Sequence, residues 1–481
     1  MDFRKSTGIN ETALPYSKIG YAFLLASAIA MTGCGGGGGS GSEEGKQPEV
    51  SEPIAKTYTV SGEVTGLLGT GLVLQSNFGE ILEIAEDGKF QFAKALKSEE
   101  AYEISIKNQP TNLTRTCSVA QGSGAIANAE VSNIKIICSA PNARFAYSFS
   151  SSNDELSIFK IDEKTGELNF VSSLTGQNSF LAAHPSGRFA YSYNLITAEL
   201  IVSDIDKETG ALTTTSSVPD IYSSRLIIDP TGRFAYFVNQ HTYPNHLLET
   251  YAIDPESGKL SKIGQGYNII HSLPSYRYEY IKIDPLGKYL YIGDNQSTLS
   301  FSIDTKTGLP SPISQSPYIS QQHYTDFVID PSARFAYFAH QGNGQITIAT
   351  IDTKGEISAV NAPPPVLGLD PLKIGFHPNG RFAYATNPIS LKVSSYSVDS
   401  TDGSLTLLSA SQTPSYFYPE LITIDPTGQF AYVSTTNNML QPGFNNALVF
   451  FINPETGELG STPIFATKAN ITYPNALILT R

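Results

Sequence analysis

From residue 141 onward the apolar residues fall in short runs or strict alternation, each bounded by turn formers, which is the pattern of β-strands. Leu226-Ile227-Ile228 is one apolar run, and Asp229-Pro230-Thr231-Gly232 follows it with the residues of a type I turn. Phe234-Ala235-Tyr236-Phe237-Val238 then reads as a second buried strand. After a variable loop, Leu248 to Ile253 alternates, Asp254 to Lys259 forms a hairpin, and Leu260-Ser261-Lys262-Ile263 is a solvated outer strand. The pattern predicts four antiparallel strands in one small sheet.

That sheet recurs. Arg-Phe-Ala-Tyr or a near variant stands at Arg144–Tyr147, Arg188–Tyr191, Arg233–Tyr236, Lys288–Tyr291, Arg334–Tyr337, Arg381–Tyr384 and Gln429–Tyr432, at intervals of 44 to 55 residues. The second hairpin recurs in phase, at Asp162–Gly166, Asp206–Gly210, Asp254–Gly258, Asp304–Gly308, Asp352–Gly355, Asp399–Gly403 and Asn453–Gly457. A period of this size is that of a β-propeller blade. The first copy lacks its leading strand, and Pro474 to Leu479 resembles the missing piece. The expected fold is therefore all-β: a seven-bladed propeller over 141–481, closed by its C-terminal strand.

Ahead of it, 57–139 has its own rhythm of short alternating strands punctuated by Gly69–Gly71, Asp87-Gly88 and Asn108–Pro110. This predicts a small Ig-like β-sandwich, a spacer domain. Cys117 and Cys138 are expected to form a disulfide within it, near the penultimate strand and at the end of the last.

The N-terminus reads as a processing segment. Lys18 precedes the apolar run Ile19–Ala30, and Met31-Thr32-Gly33-Cys34 follows. Residues 1–33 resemble a bacterial lipoprotein signal peptide, which implies that Cys34 is lipidated and anchors the chain to a membrane. Gly35 in place of Asp favours the outer membrane by the rule of that class. Residues 34–56 are a Gly/Ser-rich flexible linker. The net charge of −13 is diffuse and argues against nucleic-acid partners.

The phrases His377–Tyr384 and Asp229–Tyr236, with hairpins such as Asp254–Leu260, resemble those of the lactonase-type seven-bladed propellers, which include the propeller 6-phosphogluconolactonases. The resemblance implies a Pro-Arg-His triplet before an inner strand and an Asn-Glu pair after the next one. Here Pro371 and Asn387 fit, but Leu372, Lys373 and Pro388 replace the Arg, the His and the Glu. Four residues before the first turn, or five, the inner strands carry Arg225, Asp326, Lys373 and Glu420. These converge at the channel mouth and are the candidate catalytic residues. Loops on the same face add Tyr243, His246, Tyr276, Arg277, His323 and Tyr324, an aromatic and basic rim suited to a ligand.

No histidine spacing points to a metal, and no cofactor motif is present. The chain has no tryptophan, which excludes the docking motif of quinoprotein propellers and the Trp-ended Asp-box of sialidases. With the family triplet replaced, these residues favour a non-catalytic envelope module binding a small polar or anionic ligand or a protein. The alternative is a hydrolase or isomerase of a lactone or sugar acid, with Glu420 or Asp326 as base and Arg225 or Lys373 as cation.

Overall fold

The computed structural model describes residues 56–480 except 69, 113, 151–154, 176–177, 195, 223–224, 243–244, 270–279, 314–317, 320–322, 343, 360–368, 438–446, 462 and 466–473. The expected signal segment, Cys34 and the expected linker up to residue 55 lie outside the described residues. Among the described residues no helix is long and apolar enough to cross a membrane.

The expected blades are present. Each is an antiparallel sheet whose innermost strand leads in sequence, except in blade 1. There the order runs Leu168–Thr175, Glu155–Ile161, Phe145–Ser150 and finally Pro474–Thr480, so the last strand of the chain completes the first blade. The other innermost strands are Asn178–Ala183, Leu226–Ile228, Tyr280–Ile283, Asp326–Ile329, Lys373–Phe376 and Phe417–Ile424, in blades 2 to 7. Among the described residues seven separate apolar cores lie between neighbouring blades, one joining blade 7 (Phe430, Tyr432, Val449) to blade 1 (Phe159, Leu168). An open row of seven blades would have six such interfaces. The seventh closes the ring.

The repeated Arg-Phe-Ala-Tyr is the joint between blades. The tyrosine is buried, and its hydroxyl donates to the carbonyl of the hairpin glycine in the next blade: Tyr147 to Gly210, Tyr191 to Gly258, Tyr236 to Gly308, Tyr291 to Gly355 and Tyr337 to Gly403. Tyr384 and Tyr432 are equally buried, but their hydroxyls have no partner among the described residues. Burial pushes these hydroxyls above the ordinary tyrosine range. The aromatic residue two positions before each repeat tyrosine packs its face on the same hairpin glycine, around the whole ring to Phe430 on Gly166. The arginine lies over its own Phe ring and reaches the next hairpin, as in Arg334 to Ser400 O and Arg188 to Pro255 O.

This joint explains why the hairpin residue must be glycine. Gly210 has φ of +73°, and a Cβ there would stand 2.6 Å from Phe145 Cδ1. Gly210→Ala is therefore expected to cost about 2–5 kcal/mol, from left-handed strain and overpacking together. Denaturant unfolding checks it, and a cost below about 1 kcal/mol would show that the Phe–Gly contact is not tight.

The hairpin aspartates add a pH-dependent contribution. Asp162 and Asp304 lie below their ordinary 3.8 chiefly through backbone N–H donors of Thr165 and Thr307. Asp206, Asp254 and Asp399 are lowered chiefly by the hydroxyls of Thr209, Ser257 and Thr401. A carboxyl lowered on folding stabilises fully above its unfolded value and loses that effect as pH falls through its folded value. The melting temperature should thus fall below pH 3.8, and Asp254→Asn should make the acid slope shallower. Thermal melts from about pH 5 to about pH 2.5 read the difference. Asp284, pushed upward by burial, works against this trend.

In the N-terminal domain, Gly88–Gln91, Val60–Thr65, Val131–Ser139 and Thr116–Ala120 form one sheet, in that order. Ile81–Ile84, Leu72–Ser76, Ala101–Asn108 and Ser123–Ala125 form a second. They share a core that includes Val60, Leu74, Phe92 and Ile134. Val131–Ser139 pairs parallel to Val60–Thr65 and antiparallel to Thr116–Ala120, where Cys138 faces Cys117 directly. The two form a disulfide. This domain meets the propeller at the turns that follow the innermost strands, through Asn112 Nδ2 to Pro285 O at 3.2 Å and Arg115 to Pro378 O at 3.4 Å.

Candidate functional site

The innermost strands start at the end of the channel opposite those turns, and there the charged candidates meet. Lys373 opens the innermost strand of blade 6. Its ammonium donates to Thr325 O at 2.7 Å and lies 3.7 Å from Asp326 Oδ1 in blade 5. Asp326 Oδ2 accepts from the Ile374 N–H at 2.9 Å. The pair thus stitches blade 5 to blade 6, and it is still partly open to solvent, with side chains 32% and 12% exposed for Lys373 and Asp326.

Glu420 follows in blade 7. Pro419 pairs with Thr435 and Leu421 with Ser434, so Glu420 is the extra residue of a β-bulge. A bulge turns one side chain out of the alternation of its strand, and such features cluster beside active sites. One carboxylate oxygen of Glu420 accepts from Thr436 Oγ1 at 2.8 Å. Its backbone carbonyl accepts from Thr386 Oγ1 at 3.0 Å, and the same hydroxyl accepts from the Lys373 N–H at 3.2 Å. Thr386 is fully buried between them. Lys373 and Glu420 are therefore neighbours held by one hydroxyl, with Asp326 on the far side of Lys373.

Arg225, exposed ahead of the blade 3 strand, belongs to the same field. So does Lys282, which the sequence reading passed over. It sits half-buried on the innermost strand of blade 4. Desolvation pushes its ammonium below the ordinary lysine range, Asp326 opposes this, and Lys373 and Arg225 reinforce it. Five consecutive blades, 3 to 7, each contribute one charged residue: Arg225, Lys282, Asp326, Lys373 and Glu420.

Asn387, which fits the family's asparagine, is buried and committed to structure. Its amide donates to Ala385 O at 3.0 Å and Ser394 Oγ at 2.8 Å, and its oxygen accepts from the Asp370 N–H at 3.1 Å.

The loop candidates divide. Tyr243, Tyr276 and Arg277 lie outside the described residues. His323 is exposed, with Nε2 3.1 Å from Gln296 Nε2. His246 is buried, and desolvation lowers its pKa. Tyr324 corrects its expectation as a rim residue. It is 3% exposed, its hydroxyl is 2.7 Å from Tyr280 Oη, and its ring packs on Phe338. The apolar gap between blades 4 and 5 needs a large ring, and the Tyr280 hydroxyl satisfies its polar tip. His184 and His377 serve their turns: His184 Nε2 is 2.8 Å from Gly232 O, and His377 Nδ1 accepts from the Asn379 N–H at 3.1 Å. Among the described residues no group of three or more His, Cys, Asp or Glu could hold a metal ion.

The molecule is thus a closed seven-bladed propeller with a mixed-charge cluster at the channel end of its inner strands. Residues 175–272 and 320–477 match the model of the lactonase family, described as a 7-bladed beta-propeller, and the chain belongs to that family. It is 29% identical over 220 residues to a 6-phosphogluconolactonase of Pectobacterium carotovorum, an alignment covering 44% of this chain and 62% of the relative. It is 28% identical to a 6-phosphogluconolactonase of Pectobacterium atrosepticum over 40% of this chain and 58% of that one. The chain therefore spans about three fifths of the length of each of these relatives. Among solved structures, a periplasmic gluconolactonase of Pseudomonas aeruginosa superposes with a TM-score of 0.56 over 71% of this chain and 99% of its own. At 14% identity, that likeness speaks for the fold alone.

Proposed function

We propose that this protein hydrolyses the lactone of a sugar acid in the channel of its propeller, with Glu420 as general base and Lys373 as the cation facing the oxyanion. The observation that carries the reading is the placement of Glu420 on a bulge, joined through Thr386 to Lys373. Membership of the lactonase family and likeness to two 6-phosphogluconolactonases move the balance from a non-catalytic binding module to this hydrolase.

The chemistry fits the groups. Glu420 takes a proton from water as the water oxygen bonds to the lactone carbonyl carbon. The negative charge that develops on the carbonyl oxygen is stabilised by the Lys373 ammonium, which Asp326 and the Thr325 carbonyl hold in place. The bond from that carbon to the ring oxygen then breaks. The ring oxygen takes the proton back from Glu420, and the product is the open hydroxy acid. Arg225 adds positive charge that favours an anionic product or substrate.

The reading extends to location. Residues 1–33 serve as a lipoprotein signal, Cys34 carries the lipid, and the N-terminal sandwich spaces the enzyme from the outer membrane. Metabolic labelling with a fatty-acid analogue, with Cys34→Ala as control, tests this. For the chemistry, the test is release of acid from glucono-δ-lactone by the purified chain. No rate above spontaneous hydrolysis on this and several other sugar lactones would sink it.

A further inference from the structure

The innermost strand of every blade has one residue paired across the sheet with the repeat tyrosine, which faces the next blade. Around the ring these are Ile478 opposite Tyr147, Ala182 opposite Tyr191, Ile227 opposite Tyr236, Lys282 opposite Tyr291, Val328 opposite Tyr337, Gly375 opposite Tyr384 and Thr423 opposite Tyr432. Six of the seven are uncharged. Packing at this position asks for an apolar or small side chain, because its neighbours are the inter-blade cores. Blade 4 alone places an ammonium there.

That departure has no structural compensation. Among the described residues Lys282 makes no hydrogen bond and no ion pair; the one carboxylate in its field, Asp326, is already engaged by Lys373 and by the Ile374 N–H. Lys373 and Arg225 both repel it. A half-buried cation without a partner, beside two more cations, is destabilising unless something else neutralises it. A position that breaks the rule of its repeat without local gain is where function is expected.

We propose that Lys282 is the binding group for an oxyanion, a carboxylate or a phosphate group, inside the channel, with Arg225 and Lys373 completing the positive field. The site shares the channel with the hydrolase proposed above and deepens it: it would hold the acid group of the product or an anionic substituent of the substrate. Binding needs no chemistry, so the two readings can fail separately. Desolvation lowers the proton affinity of Lys282, and an anion docked there favours the protonated amine and covers it, so acylation slows.

The test compares wild type with Lys282→Met and Lys282→Arg, using inorganic phosphate and D-gluconate as probes and glucose as the neutral control. Calorimetry reads affinity. Peptide mass spectrometry after brief acetylation reads the reactivity of Lys282. Both anions, or one of them, should bind wild type and slow acetylation of Lys282, while glucose does neither. Which anion binds separates a phosphate site from a carboxylate site. Lys282→Met should weaken binding about tenfold or more. Its melting temperature should be unchanged or higher, since an apolar residue replaces an unpaired charge. Lys282→Arg should keep most of the affinity.

Equal anion affinity in wild type and Lys282→Met, or no binding of either probe to wild type at tens of millimolar (about 50 mM), overturns the proposal. Protection of Lys282 with no lactone turnover leaves the anion site standing and removes the hydrolase. Turnover with product inhibition unchanged in Lys282→Met does the reverse.

Discussion

Removing residues 474–481 is expected to abolish cooperative folding of the propeller. Pro474–Thr480 supplies the innermost strand of blade 1, pairing with Phe145–Ser150. Its Thr480 carbonyl accepts from the Arg144 N–H at 2.6 Å, and its Leu477 carbonyl accepts from the Thr423 hydroxyl of blade 7 at 3.2 Å. Leu477 lies in the core shared with blade 7, and Ile478 packs on the core shared with blade 2. The strand therefore holds two interfaces at once, and its loss leaves two open edges on a ring. A milder variant makes the claim quantitative. Leu477→Ala should cost about 2–5 kcal/mol and lower the melting temperature by roughly 5–10 °C. A truncated chain that melts like wild type would mean that the ring is held without its last strand.

The second large effect concerns chemistry. Glu420→Gln keeps the shape of the side chain and its hydrogen bond from Thr436 but removes the base. It should lower kcat on a hydrolysed lactone by about 10²–10⁴, with little change in KM. Lys373→Ala should cost about 10²–10³ in kcat, the scale of losing one oxyanion-stabilising group. That change also leaves Asp326 without its ion pair. Unfolding of Lys373→Ala is therefore measured alongside its kinetics, and Asp326→Asn serves as the control that breaks the same pair while keeping the cation. Loss of activity in Lys373→Ala but not in Asp326→Asn assigns the effect to the ammonium. Equal loss in both assigns it to the joint between blades 5 and 6.

The fold was legible because the sequence repeats. Each blade uses one solution to the same packing problem, a ring on a hairpin glycine, and five add a tyrosine hydroxyl on that glycine's carbonyl while several add an arginine reaching the next hairpin. Seven copies of the solution write the period into the chain, and the orphan strand at its end betrays the closure.

The candidate site was legible only in part, because its charged residues come one from each of blades 3 to 7 and share no local motif. Reading the inner strands four or five residues before the turn found Arg225, Asp326, Lys373 and Glu420. It missed Lys282, which lies two residues before its turn. The signal was available: that column of the repeat holds Ala182, Ile227, Val328, Gly375 and Thr423, and a lysine stands out among them.

Other features are written only in three dimensions. Tyr324 follows His323 in a loop and looks like a rim residue, yet only its spatial partners Tyr280 and Phe338 reveal that it fills a core. Asn387 matches a family position, and its hydrogen bonds to its own blade are invisible in one dimension. Nor does the sequence announce the bulge at Glu420, since bulges arise from pairing between strands.

The measurement that bears most directly on the account is acid release from sugar lactones, followed by pH-stat titration, for the wild-type chain and Glu420→Gln side by side. Wild-type turnover is expected well above the spontaneous rate, with near-complete loss in a Glu420→Gln protein that melts normally. Equal rates in the two proteins, or no enzymatic rate in wild type, would contradict it.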